Sequence, residues 1–425
     1  MARIISQMSF VDYGMIEILG DLERFLLALL GLDDEALMLR LEAKRRNGRN
    51  DYPVRVMWNL VIAMKVFGHR SVDSFRRELA RNSQLRSICG LQDFGRKKHL
   101  VPPARVFTGF FKMLEKEQLG IDEMFDAMVL ELGERLQEFG KDAAGDGKYV
   151  DSLANREQKD PNPDAGGRAE NDAQWGVKEY HYEDKNGNPQ VKKEYHFGFK
   201  AHLICDVMTE LPMAYSVLTA KSDEKKAMID MLGKMPSVLT GRMEHLMLDR
   251  GYDSMGMIRA AKGFGIIPIV DIRNCWKDGE TTKQYKDTDM VYDYQGNVFM
   301  VDEKGEKRRM HYEGYDSQKK CLRYSYKGKV YKIYISYDER VFLPVARDSK
   351  KFERLYKGRT SVERLNGRLD RDYMFEDHCI RGLDKMRLMV SLSLLIMNAM
   401  ALGKIKGGVT THLAALTRSE MPRSA

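Results

Sequence analysis

The 425 residues predict an α/β protein built on a mixed sheet, with an all-helical region before it and a β-rich segment interrupting it. Three observations carry that expectation. Up to about residue 140 the apolar positions repeat with helical spacing. From Lys141 to Ile272 the runs read strand, strand, strand, helix, strand, helix, strand, which is the pattern of an α/β arrangement. From Arg273 to about Pro344 helical spacing vanishes and short alternating runs are punctuated by turn signals, before helices return at Phe352. The expected divisions are therefore 1–140, helical; 141–272, the first part of the α/β core; 273–345, the β-rich insertion; 346–403, the helices completing the core; and 404–425, a polar tail.

Each element has its local reason. Asp21 to Leu32 is apolar at helical intervals. Val54 to Phe67 follows Pro53, a residue suited to a helix start. Ser71 can cap a helix running to Arg81 that carries Phe75 and Leu79. Further helices follow Pro102-Pro103 as far as Leu114 and run from Ile121 to Phe139. Ala143 to Val150 reads as a strand around Gly145-Asp146-Gly147. Asn155 to Gln174, with Pro161, Pro163, Gly166 and Gly167, reads as a loop. Tyr195–Val207 and Leu211–Thr219 read as a strand pair, Asp223–Met235 as a helix, His245–Leu248 as a strand. A helix over Ser254–Lys262 and a strand over Gly265–Ile272 follow. In the insertion, Gln295-Gly296-Asn297 and Lys327-Gly328-Lys329 mark hairpin turns. Phe352–Tyr373 reads as one charged amphipathic helix and Gly382–Leu402 as an apolar one.

Composition narrows the function. Hydrophobic residues are 43% of the chain, enough for a large core. The five cysteines form no CxxC pair and the nine histidines no HxxxH or HExxH spacing. A disulfide framework and a zinc knuckle are therefore disfavoured, and a reducing cytoplasm fits. Met1 to Tyr13 holds no sustained apolar run, so no signal peptide is expected. Leu388 to Leu402 falls short of the roughly 20 apolar residues a bilayer needs. Ser391, Ser393 and Asn398 interrupt it, so it reads as a buried core helix.

Net charge is +8, and its distribution matters more than its size. Lys304 to Lys332 holds ten lysines and arginines against three acids, with Tyr312, Tyr315, Tyr324, Tyr326 and Tyr331 interleaved. Cations and aromatics on a small sheet suit nucleic acid; tyrosines forming that sheet's own core would look the same, and both readings can hold together. A second cluster, Arg70, Arg76, Arg77, Arg81, Arg86, Arg96, Lys97 and Lys98, reads either as solvated helix faces or as a helical unit gripping phosphates.

Three acids stand out by position. Asp146 lies in a strand between two glycines, Asp249 directly after the apolar Leu246-Met247-Leu248, and Glu363 on a late helix. Carboxylates at the carboxyl ends of strands gather on one edge of an α/β sheet, where a hard cation such as Mg²⁺ finds the oxygen ligands it prefers. Two such ions can activate an attacking oxygen and stabilise a leaving one. Each acid also has a plainer reading. An Asp at a strand end commonly caps a turn, and Thr360-Ser361-Val362-Glu363 has the form of a capping box. A helix starting near Phe352 instead puts Tyr356, Arg359, Glu363 and Asp370 on one face.

These residues resemble the DDE transposases of bacterial insertion sequences, whose catalytic domain is RNase H-like. The matching stretches are Gly145-Asp146-Gly147-Lys148, Leu248-Asp249-Arg250-Gly251-Tyr252-Asp253, and Tyr356-x-x-Arg359-x-x-x-Glu363 followed by Arg364-Leu365-Asn366-Gly367-Arg368. One branch carries a Tyr–Arg–Glu–Lys signature and a β-rich insertion before the last acid. Here Asp370 stands where that signature has Lys, with Arg371 next to it. The insertion accounts for the long interval from Asp249 to Glu363. The stretch from Tyr52-Pro53-Val54-Arg55 to Cys89 looks like such enzymes' helical leader.

The resemblance implies a cut-and-paste transposase acting on double-stranded DNA, both terminal inverted repeats and target, as a homodimer in the bacterial cytoplasm with no membrane partner. It implies Asp146, Asp249 and Glu363 as catalytic ligands of two Mg²⁺ ions, with Mn²⁺ able to substitute. Tyr356 and Arg359 would contact the DNA end, joined by Arg364, Arg368 and Arg371. The insertion would grip DNA through Lys307, Arg308, Arg309, Lys319, Lys320 and Arg323. Trp276 would be the aromatic platform for a flipped base, or an ordinary strand-edge aromatic. The competing expectations are a metal-dependent nuclease on the same fold without strand transfer, and a non-catalytic DNA-binding descendant.

Overall fold

The structure, a computed structural model, describes residues 22–45, 51–91, 101–154, 170–183 and 189–415. Arg96, Lys97, Lys98, most of the expected 155–174 loop and the end of the tail lie outside the described residues.

Among the described residues seven helices come first: α1 (Leu22–Gly31), α2 (Glu35–Lys44), α3 (Val54–Val66), α4 (Val72–Arg81), α5 (Ser83–Ile88), α6 (Ala104–Glu115) and α7 (Gln118–Arg135). Pro53 precedes α3, and the Ser71 hydroxyl accepts from the Ser74 N–H at 3.1 Å to cap α4, as their residue types lead one to expect. Helices α2 and α5 were not foreseen. Helix α2 has no side-chain N-cap, and the six-residue α5 owes its start to Asn82, whose side chain accepts from the Leu85 N–H at 2.9 Å. Every residue of α3 is buried. Its Arg55 is admitted to the interior by Asp34, 2.5 Å away, which also accepts from the Trp58 indole at 2.6 Å.

The central sheet follows: β1 (Asp142–Asp151), β2 (Gln174–Glu183), β3 (Pro189–Asp206), β4 (Pro212–Thr219), α8 (Glu224–Lys234), α9 (Ser237–Arg242), β5 (His245–Leu248), α10 (Met255–Gly263) and β6 (Ile267–Val270). Strand β3 is antiparallel to both β1 and β4, whereas β1, β5 and β6 run parallel. This is the mixed sheet expected of an α/β fold and is consistent with an RNase H-like domain. One expectation is corrected. The stretch between Gln174 and Tyr195, to which the sequence reading assigned no element, holds β2, and β3 starts at Pro189 rather than Tyr195. Together β2 and the first half of β3 make a ten-pair hairpin from Gln174↔Gly198 to Glu183↔Pro189.

Next come two small antiparallel sheets. One is formed by β7 (Lys283–Gln284), β8 (Met290–Tyr292), β9 (Val298–Val301) and β10 (Lys307–Arg309); the other by β11 (His311–Asp316), β12 (Cys321–Tyr326) and β13 (Lys329–Tyr334). Their apolar sides share a core of their own, including Tyr285, Met290, Val298, Leu322, Tyr324, Ile333 and Phe342, with Tyr312, Tyr315, Tyr326 and Tyr331 packed at its border. The tyrosines of the basic segment are thus largely structural.

Three helices end the described residues: α11 (Lys350–Lys357), α12 (Thr360–Tyr373) and α13 (Leu383–Lys406). The single helix expected over Phe352–Tyr373 is two, joined at Gly358-Arg359. Both residues keep right-handed dihedrals, but the N–H groups of Arg359, Ser361 and Val362 bond to carbonyls three residues back. The joint is a tightened turn. Gly358 belongs there because a Cβ would stand 3.0 Å from Val207. The capping box is not formed: Arg359 occupies the cap position without a side-chain bond, and the Thr360 hydroxyl donates back to the Lys357 carbonyl at 3.0 Å.

Helix α13 is the one helix among the described residues long and apolar enough to cross a membrane, and it lies buried inside the protein. Three donors in its apolar run are taken up by backbone carbonyls, while the Asn398 Oδ1 has no partner among the described residues. Ser391 donates to the Leu388 carbonyl, Ser393 to that of Met389, and Asn398 to that of Pro212. The main core is continuous from α1 (Phe25) through α3 (Trp58) and α7 (Leu132) to β5 (Leu246) and α13 (Leu394).

Candidate catalytic site

The sheet register builds the centre of the site. Strand β1 pairs with β5 through Gly145↔Leu248, so Asp146 and Asp249, each one residue further on, stand at the same level of adjoining parallel strands. Alternation along β1 turns Gly145 and Gly147 towards α8 and Asp146 and Lys148 towards α12. A Cβ on Gly145 would sit 2.6 Å from the Met228 methyl of α8, so glycine is what lets that helix seat on the strand. The Asn366 amide on α12 donates to Asp146 Oδ2 at 3.3 Å.

Burial pushes the Asp146 carboxyl up to about 6. The nearby negative charges of Glu224 and Asp249 push the same way, while the Gly147 N–H and Arg359 oppose them. Asp249 begins a tight turn, and its Oδ1 accepts from the Arg250 N–H at 2.6 Å. The turn-capping reading of this residue therefore holds, and it does not displace Asp249 from the site. Beneath the turn, Tyr252 is buried and its hydroxyl has no hydrogen-bond partner among the described residues. Burial, then the charges of Glu224, Asp146 and Asp249, hold that phenol well above its ordinary pKa.

Helix α12 brings the third acid. Glu363, half exposed, pairs with Arg359 at 2.9 Å. Tyr356 stacks on Phe352 with ring centroids 5.6 Å apart. Burial first, then Asp249, raises the Tyr356 pKa. The Arg359 guanidinium is likewise in the field of Glu363, Tyr356 and Asp249. Tyr356 and Arg359 thus both face Asp249, and Glu363 reaches this neighbourhood through its pair with Arg359, one turn away across the joint. Among the described residues no three His, Cys, Asp or Glu side chains stand close enough to share one ion.

The other expected DNA contacts are placed differently. Arg364 and Arg368 both bind Glu210 in the β3–β4 turn, on a different face of α12 from Glu363 and Asn366. Arg371 pairs with the adjacent Asp372 at 2.8 Å. In the insertion, Lys307 bonds the Thr282 hydroxyl at 2.8 Å, Arg308 pairs with Glu306, and Arg309 bonds Asn297 at 2.8 Å. Lys319, Lys320 and Arg323 are exposed on the β11–β12 hairpin. Trp276 packs edge-on against Tyr292 at 6.0 Å, and the Lys283 ammonium lies 4.7 Å over its ring, so one aromatic face is already covered. In the leader, Arg70 pairs with Asp377 and Arg81 with Glu78, and Arg86 donates to the carbonyls of Leu79 and Ala80. Arg340 reaches from the insertion to Asp253 at 2.5 Å, tying the insertion to the turn that carries Asp249.

Sequence reading missed several groups. Glu224, in the first turn of α8, bonds the buried Lys200 at 2.7 Å, with one carboxylate oxygen beside Gly147 and the other beside Gly251. Lys178 on β2 is exposed, and partial desolvation works against its ammonium. Tyr180 and the charges of Asp146 and Asp249 nevertheless keep its pKa above the ordinary value. The signal for that hairpin was present: alternating runs around Trp175–Tyr182 and Val191–Phe197 flank an Asn186-Gly187 pair, a turn signature. Asn366 lay within the third matching stretch without a role, and no sequence pattern indicated Glu224; what each touches depends on which strand its helix packs against.

Residues 164–399 match the family described as transposase DDE domain. The matched stretch contains Asp249 and Glu363 and begins after Asp146. No curated protein matches the chain.

Proposed function

We propose, for a chain that belongs to the transposase DDE-domain family, that it cleaves DNA at the ends of its element and joins the freed 3′-hydroxyls to target DNA, with Asp146, Asp249 and Glu363 as its catalytic carboxylates. The observation that carries this reading is the β1–β5 register. It sets two aspartates side by side, with the Arg359–Glu363 pair delivered beside them by α12.

Transposases of this kind generally use divalent metals such as Mg²⁺. The donors here suit one: they are all oxygens, and the Asp146 carboxyl is pushed up by burial and by two neighbouring negative charges that a cation would offset. Asp146 and Asp249 would hold the ion, and Glu363 would join once released from Arg359. Bound there, two such ions would supply activation of the attacking oxygen and stabilisation of the leaving one.

The protein's own groups do the rest. Arg359, released from Glu363, is a guanidinium placed to take a phosphate through two parallel hydrogen bonds. Tyr356, fixed by its stack on Phe352, presents a phenol beside Asp249 to position the DNA end. Hydrolysis leaves a 3′-hydroxyl, which then attacks the opposite strand, giving a hairpin, or the target. Joining two ends together calls for a homodimer. The exposed cations of the insertion, Lys319, Lys320 and Arg323 among them, supply a sequence-independent grip on the flanking duplex.

The test uses duplex DNA carrying the inverted repeats that flank the reading frame. Asp146→Ala, Asp249→Ala and Glu363→Ala should each lower cleavage roughly a thousandfold or more while leaving end binding intact. Chelation of divalent metal should have the same effect. Full cleavage by any one of the three variants would remove that residue from the catalytic set, and cleavage without joining would reduce the protein to a nuclease.

A further inference from the structure

Strand β1 and helix α12 meet along two rungs. On the strand, Asp146 and Lys148 are two residues apart on one face; on the helix, Asn366 and Asp370 are one turn apart on one face. Two residues of strand advance about 6.6 Å and four of helix about 6 Å, so the two pairs fall into register. Asn366 donates to Asp146 at 3.3 Å, and the Lys148 ammonium donates to Asp370 Oδ2 at 2.6 Å. Lys148 is 15% exposed and Asp370 30%, so the pair sits at the rim of the site and is not sealed in the core. An ammonium carries three donors, and Asp370 accepts one of them.

We propose that Lys148 is a phosphate-contacting residue of the catalytic centre and that Asp370 is its positioning residue. The inference rests on the DNA-cleaving reading above. It assigns a role to the acid at 370, where the signature of similar enzymes carries a lysine: here the cation is on the strand and the helix carries the acid that aims it. Without Asp370 the long lysine stem beside Asp146 is free to sample many rotamers, and could fold back onto the Asp146 carboxylate. Held by Asp370, its charge stays two residues along the strand from that acid, where a scissile phosphate bound at Asp146 would meet it.

A pair that merely fastens α12 to β1 gives a different set of outcomes, which makes the proposal testable. Full-length protein and fluorescently labelled duplex carrying the flanking inverted repeats are used, with circular dichroism to confirm that each variant folds. For Lys148→Ala, the slope of log affinity against log salt should become shallower by about 0.9, the value for one lost phosphate contact, and cleavage should fall at least tenfold. Asp370→Asn should leave the slope unchanged and lower cleavage severalfold, because the cation remains but is no longer aimed. The charge swap Lys148→Asp with Asp370→Lys should cleave better than either of its component single variants, because it returns an ammonium to the same gap from the helix side. Should Lys148→Ala misfold, Lys148→Gln keeps the stem and loses only the charge.

A folded Lys148→Ala or Lys148→Gln with wild-type slope overturns the phosphate contact, whatever its cleavage. A swap no better than its better single variant, or Asp370→Asn with wild-type cleavage, overturns the positioning role. If the wild-type protein neither binds nor cuts the duplex, the functional reading itself fails, and that result is distinct from variants that match an active wild type.

Discussion

Asp146 is held in a state that costs the fold something. Its carboxyl titrates at about 6 instead of 3.8, through burial first and the negative neighbours second. Between those two values the folded chain binds more protons than the unfolded one, so stability falls as pH rises through that window and stays lowered above it. Solvent reaches part of the side chain, which keeps the effect to about 1–2 kcal/mol. Asp146→Asn, which mimics the protonated acid and can still accept from Asn366, should therefore melt at a higher temperature than the wild type at pH 7.5. Near pH 3.5 the two should melt together, and cleavage should be lost throughout. Equal melting temperatures at pH 7.5 would show that the carboxylate is not strained in the folded protein. For the wild type, metal-dependent cleavage should rise with pH as Asp146 ionises, with a midpoint at or below about 6, since a bound cation favours the ionised form.

At the scale of elements, α1 and α13 pack backbone against backbone. A Cβ on Gly31 would overlap the Ala399 backbone, and one on Gly403 would overlap the backbone of Leu27. Glycines at these two points let the helices approach until backbone meets backbone, and this contact anchors the helical leader to the buried α13. Gly403→Leu has no cavity to enter, so it should cost about 1–3 kcal/mol or more. A thermal melt should show it as a drop of several degrees. An unchanged melt would mean that the two helices can separate without loss. Element length mattered as well. The amphipathic helices with clear spacing or caps were legible, whereas α5, of six residues, is too short for periodicity to register, and α2 lacks a side-chain N-cap. The joint at Gly358-Arg359 depends on Val207, which lies on a distant part of the chain.

At the scale of the whole molecule, two cores divide the work. The main one runs from the leader through the sheet to α13; the second is confined to residues between Ile272 and Ala346. The Arg340–Asp253 ion pair links the second to the turn bearing Asp249. Tyr324 is fully buried in the second core, and Tyr324→Ala should cost about 3–5 kcal/mol there. Hydrogen exchange should then accelerate in β11, β12 and β13 while α13 keeps its protection. Equal acceleration in both regions would show that the two cores unfold as one cooperative unit.

Residue order alone determined the fold class, the strands carrying Asp146 and Asp249, the buried character of α13 and the β-rich stretch before the last acid. These follow from local periodicity, caps and turn chemistry, which act over a few residues. Tertiary structure decided which helix face meets which strand. It committed Arg364 and Arg368 to Glu210 and covered one face of Trp276 with Lys283. It also brought Glu224, Lys178, Asn366 and the Lys148–Asp370 pair around the aspartates. The physical reason is one of range: a charge acts on whatever lies within a few ångströms of it, and here those neighbours lie tens to hundreds of residues away along the chain.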